Sequence, residues 1–192
     1  MPYSVEHKER TRARIVETAR VLFNQHGFHN VTIDMVMENA GLTRSGFYNH
    51  FANKETLFAS AVSSFLMGRG AEWRDEAGID PTNLDPKMAL QMVKSYLSPE
   101  HLGDIEGQCP MIALPSDVAR ASVEVQDAYQ ALLKAMVWLF ETSLRPCEDA
   151  RDRALSMAAL CVGGMVLART LPDSKLADDV RAAAYKTASR TV

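Results

Sequence analysis

Residues 32–57 read TIDMVMENAGLTRSGFYNHFANKETL, and their pattern is that of two short helices joined by a glycine turn. Ile33, Val36, Met37 and Ala40 recur at i, i+3, i+4 and i+7, one buried helical face, and Thr32 before them is a good N-cap, so a helix is predicted over 32–40. Gly41 supplies the left-handed C-cap conformation, and Leu42 then packs between the two helices. Thr43 opens a second helix, predicted over 43–51, with Phe47 and Phe51 facing inward. Arg44, Ser45, Tyr48, Asn49 and His50 are left for another surface.

A helix-turn-helix with such an outer face suits double-stranded DNA, its second helix lying in the major groove with N-terminal residues at base edges and flanks at phosphates. Arg44 is the best base-reading candidate, because its planar fork can bond guanine O6 and N7 together, a pairing worth about 1–3 kcal/mol of discrimination. Gly46 removes a side chain where the backbone comes near the duplex. Tyr48 and His50 offer donors to phosphate oxygens. Asn53 caps the next helix, directing its amides and Lys54 at a phosphate. A plain helical hairpin with solvated Arg44 and Lys54 is the bland alternative, disfavoured by the agreement of turn glycine, caps and polar outer face.

Residues 41–58, GLTRSGFYNHFANKETLF, resemble the recognition helix and following segment of TetR-type bacterial transcriptional regulators. There the helix commonly ends in an aromatic, a variable residue, His and Phe, with a basic residue opening the fourth helix; Tyr48, Asn49, His50, Phe51 and Lys54 stand in those positions. The resemblance covers roughly residues 6–66. It implies an all-α chain in two parts, an N-terminal three-helix helix-turn-helix DNA-binding domain over 1–52 and a C-terminal helical ligand-binding and dimerisation domain over 53–192. The preceding segment agrees: Ile15, Ala19, Leu22 and Phe23 follow helical spacing within 8–27, and Gly27 ends that helix. Lys8, Arg10, Arg12 and Arg14 at its start give a modest positive excess where family members touch the DNA backbone, with Arg10 and Arg14 the favoured contacts.

The chain has 192 residues, 47% of them hydrophobic and 7% aromatic, enough for a sizeable core. Its formal net charge is −3, so DNA affinity must come from local placement and from doubling in a dimer rather than from overall basicity. No signal sequence is evident, and charged residues interrupt the candidate apolar runs, so a cytoplasmic protein without a membrane partner is expected.

Beyond residue 65 the pattern stays helical. Breaks are predicted at 78–86, 98–110, 146 and 171–173, and helices over 86–97, 110–119, 123–144, 147–170 and 174–188. A fourth helix carrying Leu57, Phe58, Ala61, Val62 and Phe65 links the two parts. Residues 154–171, ALSMAALCVGGMVLARTL, are apolar on nearly all sides, with Gly163 and Gly164 permitting close approach. Either an intrachain core or self-association accounts for them. The resemblance implies a homodimer through the last two helices, and hence a roughly palindromic operator with half-sites about 34–36 Å apart.

The middle region is expected to hold an apolar effector pocket lined by Phe65, Trp73, Met92, Tyr96, Met111 and Trp138, with Met88 and Met165 as further candidates. Ten methionines suit an adaptable cavity, though each is also ordinary core material. His101, Asp104 and Cys109 lack metal-ligand spacing, so neither a metal nor a cofactor is expected. Cys109 precedes Pro110, which suits the first position of a helix; an N-cap cysteine there would have a lowered thiol pKa and greater reactivity. The run GQCPMIALPSDVAR resembles a branch of TetR-type regulators that includes repressors of electrophile-detoxifying and efflux genes, some sensing through a cysteine near this place. Cys109 is therefore a candidate thiol sensor beside its unreactive structural alternative; Cys147 is placed at a helix start and Cys161 inside the apolar run. The expected function is a repressor released from a palindromic operator by a small apolar or electrophilic effector, not an enzyme. The competing readings are an architectural DNA-binding protein of weak sequence preference and an enzyme using Cys109 as nucleophile and His101 as base.

Overall fold

The computed structural model describes residues 5–144, 146 and 148–192, and among them every regular element is a helix. The order is α1 (Val5–Asn30), α2 (Ile33–Asn39), α3 (Arg44–Phe47), α4 (Lys54–Ser64), α5 (Arg69–Glu76), α6 (Pro86–Tyr96), α7 (Pro99–Gly103), α8 (Pro110–Ala113), α9 (Pro115–Val118), α10 (Val123–Ser143), α11 (Ala150–Thr170) and α12 (Ser174–Ser189). Helical geometry in α1 breaks at Gly27, with φ 76° and ψ 165°, as the sequence predicts. The expected position of Cys147 at the start of α11 lies outside the described residues.

Caps and prolines set most boundaries. Asp85 caps α6 by accepting from Met88 N at 2.8 Å, with Pro86 at the first position, and Asp173 caps α12 by accepting from Lys175 N at 2.9 Å. The single helix predicted over 110–119 is instead two. Pro115 has no N–H and disfavours helical geometry in the residue before it, and Leu114 takes φ −128° and ψ 18°. The recognition helix is also shorter than predicted, Arg44–Phe47 continuing as turns to Phe51. Two helices absent from the sequence reading, α5 and α7, lie near either end of α6.

One core runs through both parts, from Ile15, Phe23, Phe47 and Phe58 to Tyr96, Phe140, Met157 and Met165. α4 packs on α1 at one side and on α10 at the other, which makes it the connector between the parts. α11 is the one described helix long and apolar enough to cross a membrane; it packs on α12 and α10 as a core helix does. A Cβ on Gly164 would stand 2.9 Å from that of Ala184 on α12, so glycine permits this approach, whereas Gly163 faces open space.

Candidate nucleic-acid interface and internal cavity

The turn between α2 and α3 is built as its sequence predicts. Thr32 accepts from Met35 N at 3.1 Å at the start of α2. At the end Gly41 has φ 64°, Gly41 N donates to Glu38 O at 2.9 Å, and Leu42 N donates to Met37 O at 2.8 Å, the paired bonds of a Schellman cap. Phe47 and Phe51 are buried, so Thr43, Arg44, Ser45, Tyr48 and Asn49 are turned to solvent, with His50 half-buried beside them.

Of these, Thr43, Ser45, Asn49 and His50 form one wall of a groove, while Arg44 and Tyr48 are exposed but do not line it. His7, Lys8, Thr11 and Arg14 of α1 form the other, Met37 and Leu42 lie between, and Gly46 stands on the α3 side. A Cβ on Gly46 would meet only Met37 and Thr43 at 3.7 and 3.8 Å, ordinary contact, so nothing within this chain requires glycine there. Arg44 pairs with Asp34 of α2 while both side chains remain more than half exposed. Such a pair is worth little in water and gives way to a stronger partner. Arg12 faces inward instead, donating to His50 O at 2.7 Å and Ser60 Oγ at 3.2 Å with its guanidinium 4.1 Å from the Phe51 ring centre. Arg10 lies 3.8 Å from exposed Glu6. Burial, with help from Lys8 and Arg12, lowers the His50 pKa, so its imidazole is neutral at physiological pH.

Lys54 departs from the sequence expectation. Its ammonium donates to Phe28 O and Val31 O, both at 2.9 Å, and sits 4.1 Å from the Phe28 ring centre, so it serves the chain itself rather than standing free for a phosphate. The cause is local: the backbone broken at Gly27 leaves carbonyls without helical partners, and a cation satisfies them. Burial lowers the Lys54 pKa. Asn53 does cap α4 as expected, accepting from Thr56 N at 2.8 Å.

At the far end of α4 lies an internal cavity of about 60 Å³. Phe65, Trp73, Met92, Tyr96 and Met111 line it as expected. Trp138 does not: it is 52% exposed on α10, its side chain having taken the solvent side of an amphipathic helix whose buried face carries Met136 and Phe140. Met165 is core and Met88 packs at the core's margin. Arg74 and His101, unnamed by the sequence reading as lining residues, also stand in the wall, with Leu66, Gly70, Leu132, Ala135, Met136 and Leu139. His101 Nδ1 is 2.8 Å from Tyr96 O, and its ring lies 5.2 Å from Trp73 and 4.8 Å from Tyr96. Burial lowers the His101 pKa and keeps it neutral.

Cys109 lines the same cavity, at the N-cap of α8, but its chemistry runs opposite to the expected direction. Burial pushes the thiol up to about 11, and a four-residue helix contributes too little dipole to oppose that. Cys161 is likewise buried and pushed up to about 12. Neither is a ready thiolate.

Loop residues before Cys109 tie this wall to α1. Asn24 Nδ2 donates to Gln108 O at 2.7 Å, Arg20 donates to Glu106 O at 2.7 Å, and Arg169 of α11 donates to Asn24 O at 2.6 Å and to Gln108 Oε1. Arg20, Asn24 and Gln108 are all buried.

Residues 32–51 thus form a helix-turn-helix with a solvent-exposed outer face, carried on an all-helical body that holds a cavity. The family described as bacterial regulatory proteins, tetR family, matches residues 15–61. The HTH-type transcriptional regulator TtgR of Pseudomonas putida is 34% identical over 92 residues, 45% of this chain and 43% of that protein. LmrA of Bacillus subtilis, also an HTH-type transcriptional regulator, is 24% identical over 174 residues, 85% and 89% of the two chains. The fold is shared with a TetR transcriptional regulator from Chloroflexus aurantiacus, at TM-score 0.78 and 21% identity over 97% of this chain and 96% of that one. The match to the tetR family lies in residues 15–61, and the aligned segment spans less than half of the length of TtgR.

Proposed function

We propose that the protein is a homodimeric, cytoplasmic repressor that binds a palindromic operator through residues 1–52 and is released when a small molecule enters the cavity in residues 53–192. The observation that carries this reading is the continuous path of α4, whose first turn is fastened to the reading head through Lys54 and whose end reaches the cavity at Phe65. Arg44 reads base edges, Ser45, Thr43 and Asn49 flank it, Gly46 allows close approach, and Tyr48 and His50 meet phosphates. Arg14, already favoured from the sequence, lies across the groove, and Lys8 beside it is added to the phosphate contacts on its position.

The partner surface is the pair α11 and α12, where Leu155, Leu167, Leu176 and Tyr185 are exposed apolar groups on helices otherwise packed together. Two-fold pairing there makes the operator two-fold as well. The function requires no chemistry on a substrate. Cys109 and His101 do share a cavity, but a thiol near 11 and an imidazole already engaged at Nδ1 make a poor nucleophile and base. Cys109 in this reading is a neutral part of the effector wall.

The test is selection of bound sequences from a random duplex pool at physiological salt, followed by titration of the enriched site. A palindromic site bound tightly and with strong salt dependence is expected. Equal affinity for unrelated duplexes would overturn the reading and favour an architectural DNA-binding role.

A further inference from the structure

We propose that the internal cavity binds a single-ring aromatic carboxylate, its ring held between Phe65, Trp73 and Tyr96 and its carboxylate received by Arg74. The inference rests on the cavity's being the effector site and specifies the chemistry of what enters.

Arg74 is a half-buried guanidinium on the cavity wall, and no carboxylate within ion-pair distance of it is found among the described residues. It makes one bond, to Leu66 O at 3.0 Å, leaving most of its five N–H donors without a protein acceptor. Neighbouring Arg69, by contrast, is held by Glu76 and Asp104. Burial lowers the Arg74 pKa, the mark of a charge taken from water without full compensation. A ligand carboxylate supplies the missing partner in the bidentate geometry guanidinium favours.

Four further observations narrow the class. No aspartate or glutamate lines the cavity, so a cationic ligand would have no counter-charge. Tyr96 is 4% exposed and its hydroxyl makes no hydrogen bond; the Cys109 thiol on the same wall is a weak partner for it, so the hydroxyl is available to a ligand oxygen. Trp73 and Tyr96 stand edge to face at 5.9 Å, in contact with each other, and together give the cavity an aromatic wall against which a ligand ring can pack. The volume of about 60 Å³ is below the roughly 150 Å³ of an engineered cavity that holds benzene, so the methionine walls must yield to admit even one ring, which favours the smallest aromatic ligands.

The experiment titrates the full-length protein with benzoate, benzamide and benzylamine by thermal shift and calorimetry, against the variants Arg74→Gln, Arg74→Lys and Tyr96→Phe. Benzoate is expected to raise the melting temperature saturably, with benzamide and benzylamine at least about 10-fold weaker. Arg74→Gln is expected to weaken benzoate by about 10-fold or more, with Arg74→Lys recovering part of the loss because it keeps the charge and not the fork. Tyr96→Phe removes a hydroxyl whose one weak partner is the Cys109 thiol, so the free protein keeps nearly all its stability while benzoate affinity falls several-fold. Equal binding of benzamide, indifference of benzoate to Arg74→Gln and Arg74→Lys, or no benzoate binding would each overturn the proposal. The enriched duplex separates the two levels: operator binding without benzoate binding sinks the ligand class alone, while benzoate binding without any enriched duplex sinks the regulator reading alone.

Discussion

Lys54→Met is the substitution that most sharply distinguishes structure from sequence pattern. A lysine at the start of the fourth helix reads as a phosphate contact, which predicts an unchanged fold, DNA binding weakened evenly across sequences, and a salt slope reduced by about one. The geometry predicts otherwise, since the ammonium satisfies Phe28 O and Val31 O at 2.9 Å and stands over the Phe28 ring. Hydrogen bonds to a charged group contribute about 1.5–3 kcal/mol and an exposed cation–π contact about 0.5–1 kcal/mol. Burial opposes this by lowering the Lys54 pKa, and Met keeps the apolar stem contacts, so the expected net loss is about 1–3 kcal/mol. For a chain of this size that is a fall in melting temperature of roughly 2–12 °C. Urea denaturation and calorimetry of the free protein measure it, and DNA titrations across salt concentrations supply the slope. A variant as stable as the parent with a salt slope lowered by one would refute the structural role and restore Lys54 to the phosphate contacts.

Arg44→Ala should relax base preference by about 1–3 kcal/mol at one position of each half-site, and Asp34→Asn, which releases Arg44 from its exposed partner, should raise operator affinity by up to roughly fivefold, most at low salt; both are read by titration of matched and mismatched duplexes. His50 and His101 have folded pKa values lowered from 6.5, so as pH falls through that value the unfolded chain takes up protons first and stability is lost, being fully present only above it. Melting temperature should therefore drop from about pH 7.5 to about pH 5.5, and a flat profile would contradict the assigned burial. Cys109, with a thiol near 11, should be alkylated at least about 100-fold more slowly in the native protein than in urea, as followed by mass; fast native labelling would revive it as a sensor. Gln108→Ala, which removes the acceptor for Arg169 and the bonds its side-chain amide makes to the backbone, should cost about 1–3 kcal/mol of stability and weaken any effect of cavity ligands on DNA affinity.

What the sequence made legible is what depends on local periodicity and caps. The Thr32 cap, the Gly41 turn, the inward Phe47 and Phe51, and the exposed reading face each follow from neighbours within a few residues, and all appear where the pattern puts them. Of the eight candidates read from the sequence, five line the cavity, because large apolar side chains on amphipathic helices converge wherever helices meet, while Met88, Met165 and Trp138 do not. Trp138 shows the limit: a tryptophan on an amphipathic helix belongs to the core only if its position on the 3.6-residue period does, and here the buried stripe passes through Met136, Val137 and Phe140. α5, with the segment RGAEWRDE, has too few apolar residues for a period to register. Pro115 did carry a usable signal, since a proline five residues into a predicted helix displaces the residue before it.

The polar interior was hidden for a different reason. Asn24, Gln108 and Arg169 are spread over three distant segments and each reads alone as a solvated residue, yet together they join α1, the loop before Cys109 and α11. Their arrangement bears on the proposed mechanism. Reading head and cavity touch at two places: along α4, ending at Phe65, and through this hydrogen-bonded cluster, whose next residue, Cys109, is itself cavity wall. In the proposed mechanism a ligand larger than the present cavity moves one wall or the other, and α4 and the cluster are the contacts through which α1 would feel it. Regulation asks little of it, because a coupling of about 1–3 kcal/mol changes DNA affinity by about 5- to 150-fold. A buried polar cluster suits such a coupling because each bond lost leaves a buried group unsatisfied, so Asn24→Ala should weaken any effect of cavity ligands on DNA affinity, as read by operator titration with and without ligand.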